Sequence, residues 1–317
     1  MLEREDASVG DAREVMAEYA ARLSAYKNKG KCGLPEFEWS GRKLERALEV
    51  LCEKMIDASG QVVVLIGAGV STAAGVPDFR GPSGIWTKEA EHKSSKKRAR
   101  GADAKDSEWV QHGTQGAAAA IDLGGLQPTL THHALTELVR RGIVRCVVSQ
   151  NIDGLEQRAG LPRAQLAVIH GCICEERCEL CGVRYLRSSD VGGKSGAHTG
   201  RRCECAGCEG ALGATLLDWE DEWPADQAAL ADGECDEAEF CLVLGSSLRV
   251  EPAGSLPNRS RSFALCNMQA TPKDRASKCA LIVRAKCDIV MAAIMRRVCQ
   301  VEMVSAEEDG QVEWRQV

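Results

Sequence analysis

Five cysteines in two knuckles, one histidine and two small-residue turns are the parts of this 317-residue chain whose types and spacing could do chemistry. Cys178-x-x-Cys181 and Cys203-x-Cys205-x-x-Cys208 supply two groups of thiolates. Tetrahedral Zn²⁺ takes four soft ligands, and a CxxC turn presents two sulfurs from one knuckle. Four thiolates leave no open coordination position, so such a metal is structural. Five candidates compete for four places, which leaves one of Cys203 and Cys205 spare. Cys172 and Cys174 read as packing residues beside the site.

Gly67-Ala68-Gly69-Val70-Ser71-Thr72 ends a short apolar run. Small residues let the backbone approach a pyrophosphate, and a following helix adds free N–H groups and a positive dipole end. Thr72 stands where the usual fingerprint has its third glycine, so this turn alone also fits an ordinary strand-ending bend. Gly245-Ser246-Ser247 is a second such turn, again after a predicted strand. Two turns at the carboxyl ends of parallel strands fit a dinucleotide lying across the sheet. His170 carries a side chain whose ordinary pKa, ~6.5, suits general-base work near neutrality. Its plainer readings are a stray metal ligand near Cys174 or a core histidine bonded to backbone.

Strands and helices must position these groups. Leu44, Leu48, Leu51 and Met55 recur at helical spacing, which predicts an amphipathic helix from Arg42 to Ala58. Gln61–Ile66 is a short apolar, β-branched run that predicts a buried parallel strand, and Ile143–Val148 and Phe240–Leu244 read the same way; Phe263–Cys266 and Ala280–Val283 are weaker examples. Thr131–Arg141 predicts a helix stopped by Gly142, and Asp288 is expected to cap a last helix. Strands alternating with helices indicate an α/β parallel sheet of Rossmann type, with helices on both faces and a small inserted zinc-binding module. Two stretches break the rhythm: 77–127, with little periodicity, and 170–238, with the cysteines and much glycine. The tail after Val301 is acidic and expected to be loose.

Composition narrows the class. Hydrophobic residues make up 44% and aromatics only 4%, so aliphatic side chains must fill the core. A net charge of −6 gives no global attraction to nucleic acid, so such contact needs a local basic patch. Nothing approaches the ~18 consecutive apolar residues of a membrane span, so no membrane association is expected. The acidic start Met1-Leu-Glu-Arg-Glu-Asp6 is unlike a signal peptide, which points to cytosol or nucleus, where the 16 cysteines stay reduced.

The run Gly67-Ala-Gly-Val-Ser-Thr-Ala-Ala-Gly-Val-Pro-Asp-Phe-Arg-Gly81 resembles the signature of the sirtuins, NAD-dependent lysine deacylases. Ser149-Gln-Asn-Ile-Asp-Gly154, Ile169-His-Gly171 and Gly245-Ser-Ser-Leu248 follow in the family's order, and the resemblance spans roughly residues 15–300. Lys31-Cys-Gly-Leu-Pro-Glu36, Leu217-Asp-Trp-Glu-Asp221 and Asn267-Met-Gln269 with Thr271 are similar to the nuclear class IV branch and, within it, to the sirtuin six group.

The resemblance implies residue roles. Gly67, Ala68, Gly69 and Thr72 would line the pyrophosphate of NAD, with Asp78, Phe79, Arg80 and Trp86 on a mobile loop over the nicotinamide ribose. Gln150 would contact that ribose, while Asn151 and Asp153 would form the nicotinamide-amide pocket. Gly245, Ser246, Ser247, Asn267, Gln269 and the backbone at Cys287 would hold the adenosine half. His170 would be the general base, and Cys178, Cys181, Cys203 and Cys208 the zinc ligands, leaving Cys205 spare. The implied reaction consumes NAD as a co-substrate and yields nicotinamide, O-acyl-ADP-ribose and free lysine, with acylated protein lysines (histone tails foremost) as substrates and the nucleus, or the cytoplasm, as the compartment. The implied organisation is an N-terminal extension over 1–40, an NAD-binding Rossmann-type domain over 41–169 and 239–300 with a cofactor loop and insertion at 77–127, a zinc module over 170–238, and a C-terminal tail over 301–317.

Plainer readings stand beside these roles: Asp78 and Arg80 as a simple ion pair, and Asp153 before Gly154 as a turn residue. A mono-ADP-ribosyltransferase would use the same site, and a non-catalytic NAD or ADP-ribose reader would be expected to lack His170 or Asn151, both present here. The chain departs from the sirtuin six group in a longer segment after Trp86, a shorter knuckle at 203–208, and Arg284-Ala-Lys286 where that group has His-Gly. Lys93, Lys96, Lys97, Arg98 and Arg100 form a basic run in the longer segment, either a solvated loop or a nuclear address and nucleosome or DNA contact.

Overall fold

Apolar residues at helical spacing fold Gly41–Asp57 into α1, which buries Ala47, Leu48, Leu51, Cys52 and Met55. The computed structural model describes residue 26 and residues 29–99, 125–306 and 312–317, without the side chains of 93, 95–99 and 306. Five successive apolar residues leave no polar face, and Val62–Ile66 (β1) is accordingly buried throughout. There follow α2 (Ile85–Ala99), α3 (Leu130–Arg140), β2 (Val144–Ser149), a single-turn α4 (Leu155–Arg158) and β3 (Leu166–Val168). Next come β4 (Glu175–Cys178), β5 (Arg184–Leu186), β6 (His198–Arg202), β7 (Ala211–Ala214) and α5 (Ala225–Glu237). The chain then forms β8 (Phe240–Leu244), β9 (Ser262–Cys266), β10 (Cys279–Val283), α6 (Cys287–Val298), β11 (Val301–Ala306) and β12 (Val312–Gln316).

The large sheet has the order β10-β9-β8-β1-β2-β3 and is parallel throughout. From β1 the chain steps outward through β2 to β3, then returns to β8 on the other edge of β1 and steps outward through β9 to β10. The reversal lies between β1 and β8, where open α/β sheets leave a crevice for ligand at their carboxyl ends. One face is packed by α1, α3 and α6 through Leu51, Met55, Leu135, Leu138, Met291 and Ile294. The other is packed by α5 through Ala231 and Cys235 and by the turn carrying Ala253 and Leu256. The Rossmann-type expectation is met.

The small sheet, β5-β4-β7-β6, is antiparallel. Its buried carboxylates are matched by guanidinium groups: Glu175 by Arg163 and Arg184, Glu176 by Arg187 and Arg201. Such matching is what makes burial of a charge tolerable. The stretch 170–238 therefore divides, because the apolar residues of α5 pack on the large sheet, while its first turn reaches the small sheet through Asp226, paired with Arg184 at 2.9 Å.

Three local expectations change. Residues 85–99 are helical although 77–127 shows little periodicity; the helix carries Lys, Glu and Ala, which favour helix, without an apolar stripe to reveal it. Trp86 thus stands on the first turn of α2, not on a free loop. Asp288 lies inside α6, not at its cap, and its Oδ1 accepts the N–H and hydroxyl of Thr131 at 3.0 and 2.5 Å, serving the start of α3. The acidic tail pairs as the β11–β12 hairpin, with Val301 buried and Trp314 packed against the core, because alternating apolar residues outweigh its charge.

Candidate active site

The turns after β1 and β8 meet at the crevice. Gly69 N donates to the Gly245 carbonyl at 2.9 Å, and a Cβ on Gly67 or Gly69 would come within 2.9 or 2.7 Å of residues 245–246. These glycines are required by the approach of one turn to the other, and Gly245 itself has φ +60°. Around them opens a cavity of about 850 Å³. Every residue nominated above for cofactor binding or catalysis lines it, from Gly67, Asp78 and Arg80 through Asn151, Asp153 and His170 to Asn267 and Cys287.

Asp78 and Arg80 turn to different partners. Asp78 accepts the Gly81 N–H at 2.9 Å and folds the segment back, whereas Arg80 donates to the Lys29 carbonyl at 2.8 Å and to Ser247 Oγ at 3.2 Å. Among the described residues Arg80 Nη2 is buried without a hydrogen-bond partner on the cavity wall, a cationic donor matched to an anion. Its guanidinium carbon lies 4.4 Å from the Trp86 ring centroid, within a cluster of Tyr26, Phe79, Trp86 and Trp219. Trp219 lines the cavity; it belongs to the Leu217–Asp221 motif, but the sequence reading assigns it no cavity role, because it reaches the site across the fold.

His170 follows β3. Its Nδ1 lies 3.0 Å from the Gln150 carbonyl, which can only accept, so Nδ1 carries the proton and Nε2 is left to take one. Burial lowers the His170 pKa, opposed in part by that hydrogen bond, and the neutral base is favoured. Gln150 Nε2 donates to Ser246 Oγ at 2.8 Å, tying the β2 end to the β8 turn.

Asn151 and Asp153 are both buried. Asn151 Nδ2 donates to Ser71 Oγ at 3.2 Å, and Asp153 Oδ1 accepts the Leu155 N–H at 3.0 Å. Asp153 is thus a turn residue and a cavity residue at once. Behind it Glu156 accepts a 2.6 Å hydrogen bond from Ser149, whose Oγ receives the Asn151 N–H at 3.0 Å. Burial and the neighbouring Asp153 charge push the Glu156 pKa up to about 8, which favours its protonated form and opposes a second charge beside Asp153. The sequence reading misses Glu156; only the packing of α4 reveals it.

The Cys178 and Cys208 sulfurs are 3.6 Å apart and those of Cys181 and Cys203 3.5 Å, with all four within 4.8 Å of one another. Zn–S bonds of ~2.3 Å in a tetrahedron place sulfurs roughly 3.8 Å apart, so these four fit a structural zinc. Cys205 is the fifth sulfur, 3.5 Å from the Tyr185 hydroxyl, which also lies 3.1 Å from Cys203 Sγ. Cys205→Ser is expected to retain a full complement of zinc by metal analysis; loss of metal in that variant, with retention in Cys203→Ser, would reverse the knuckle register. Cys172 and Cys174 are buried packing residues, as read from sequence.

A family model described as the Sir2 family matches residues 67–252. The protein named NAD-dependent protein deacetylase SRT1 of Arabidopsis thaliana is 37% identical over 87% of the chain. NAD-dependent protein deacetylase Sirt6 of Drosophila melanogaster is 33% identical over 88% of the chain and 83% of its own length. The chain spans about half the length of the first relatives, 54% of the Arabidopsis protein and 53% of its rice counterpart. Among solved structures, a mutant Sir2 homologue in complex with ADP-ribose matches at a TM-score of 0.56 and 27% identity, covering 79% of this chain and 96% of that one. Sir2 with p53 peptide and NAD+ matches at 0.53 and 26%, covering 79% and 98%.

Proposed function

The chain belongs to the Sir2 family, and from that premise we propose that it is an NAD-dependent protein lysine deacylase, releasing nicotinamide, O-acyl-ADP-ribose and free lysine. The observation that carries the proposal is the placement of His170, Asn151 and Asp153 on the wall of the cavity that the two small-residue turns open. The cavity lies within the size range of cofactor sites, and the buried Arg80 donor and the glycine turns fit a pyrophosphate. NAD, when bound, supplies a ribose carbon activated by its cationic nicotinamide. The chain's part is to hold and to move a proton: Asn151 and Asp153 receive the amide of the leaving base, Arg80 and the turn amides balance phosphate charge, and His170 Nε2 draws a proton from a ribose hydroxyl. Trp86 and Trp219 with Phe79 wall the site against water. Incubation with NAD and acetylated or long-chain acylated histone peptides, followed by mass spectrometry, tests this. Free lysine and O-acyl-ADP-ribose are the expected products, whereas ADP-ribose attached to protein would favour a mono-ADP-ribosyltransferase.

The substrates belong to the same proposal: acylated lysines on histone tails, in the nucleus or the cytoplasm. No helix among the described residues is long and apolar enough to cross a membrane. The basic run continues α2 as backbone through Ala99, with Arg100 outside the described residues. As a nucleosome contact it would release counterions, with a log–log salt slope of roughly −0.9 per neutralised phosphate. Replacing Lys93, Lys96, Lys97, Arg98 and Arg100 by Gln is expected to weaken nucleosome binding and flatten that slope while turnover on free peptide stays level. Unchanged nucleosome affinity would leave the run a solvated surface.

A further inference from the structure

Asn267 and Gln269 stand on the turn after β9 and line the cavity. Arg284, buried at the end of β10, is bound to that turn from behind. Its Nη1 donates to the carbonyls of Asn267 and Gln269 at 2.7 and 2.8 Å, and its Nη2 pairs with Asp274. Asp274 is held in turn by the N–H and hydroxyl of Thr271, at 3.1 and 2.7 Å. The Gln269 carbonyl also accepts Asn267 Nδ2 at 3.0 Å, so the amide of Asn267 is fixed in one orientation, with Oδ1 left as its acceptor. The Gln269 side-chain nitrogen is already committed to the carbonyls of Leu34 and Arg80, at 2.6 and 3.3 Å.

That arrangement changes what the turn can offer a ligand. Two of its carbonyls and both of its side-chain amide nitrogens are bonded to protein, and the Asn267 Oδ1 acceptor suits the hydroxyls of a ribose, the role an acidic side chain takes in many dinucleotide folds. A planar guanidinium can gather two carbonyls and a carboxylate at once; a lysine ammonium lacks that fork. We infer that Arg284 is a positioning residue for the adenosine end of the dinucleotide: it locks the Asn267 amide with Oδ1 toward ribose hydroxyls and, through Gln269, ties the adenosine turn to the segment bearing Arg80. This rests on the NAD reading above. The departure Arg284-Ala-Lys286 is then a different way of building the adenosine site.

The test uses the full chain with Arg284→Met, Arg284→Lys and Asp274→Asn. It measures ADP-ribose affinity by calorimetry, KM for NAD, kcat and peptide KM on an acetylated peptide, and Tm. Removing charge-assisted hydrogen bonds to buried acceptors predicts that Arg284→Met raises the ADP-ribose Kd and the NAD KM together by roughly ten- to hundredfold. The kcat at saturating NAD and the peptide KM should stay within about twofold of wild type, because His170 and the nicotinamide end are untouched. Lys should restore part of the affinity, and Asp274→Asn should move it in the same direction as Met by less. If the Met variant does not fold, the Lys and Asn variants decide. ADP-ribose binding at wild-type strength in the variants, or a fall in kcat with KM unchanged, overturns the role of Arg284. A wild-type chain that binds ADP-ribose yet never turns over overturns the deacylase reading alone, and the calorimetric series still decides the clamp.

Discussion

His170→Tyr is expected to abolish release of free lysine from an acylated peptide while leaving the melting temperature near that of wild type. Among the described residues the ring makes one hydrogen bond, Nδ1 to the Gln150 carbonyl, and one edge contact with Trp223, and it stands on the cavity wall outside the main apolar clusters, so its loss empties a chemical role more than a packing one. A positioned general base contributes roughly 10²–10⁴-fold, so turnover should drop by at least that range's lower end. ADP-ribose should still bind, since the small-residue turns remain. The pH profile gives a second reading. Burial holds the His170 pKa below its ordinary value, so the base stays neutral as pH falls through ~6.5 and the acidic limb of kcat/KM lies lower than for an exposed histidine. Retention of more than a few per cent of wild-type turnover by the Tyr variant would remove His170 from the role of base.

The other large effect is expected at the cysteine cluster. Cys178 is buried, belongs to β4 and sits opposite Leu212 of β7, so a metal bound there ties together two strands of the small sheet. Structural zinc sites in peptides contribute an apparent ~10–16 kcal/mol to folding, and losing one of four thiolates forfeits a large part of it. Cys178→Ser is therefore expected to lose its zinc and to lower the melting temperature by on the order of 10 °C, with hydrogen exchange rising first over residues 175–214. Chelation of the wild-type protein should reproduce that exchange pattern. Wild-type protein purified without zinc yet equally stable would sink the structural-metal reading.

Much of this molecule is legible in the sequence because it rests on local signals. Short, mostly apolar runs bounded by turn residues read as buried strands, which identified β1, β2 and β8. Small residues directly after two of them marked the crevice, and the spacing of Cys178, Cys181, Cys203 and Cys208 marked a closed metal site. Other features depend on which surfaces meet. Periodicity does not find α2, which has no apolar stripe, and charge hides the β11–β12 hairpin. Tertiary structure alone decides that Asp288 serves the start of a different helix, that Trp219 joins Trp86 at the cavity, that Glu156 stands behind Asp153, and that Gln269 and Arg284 spend their donors on protein carbonyls. Residue type fixes which bonds a side chain can make; its partner is set by chain segments far apart in sequence, and no local pattern carries that information.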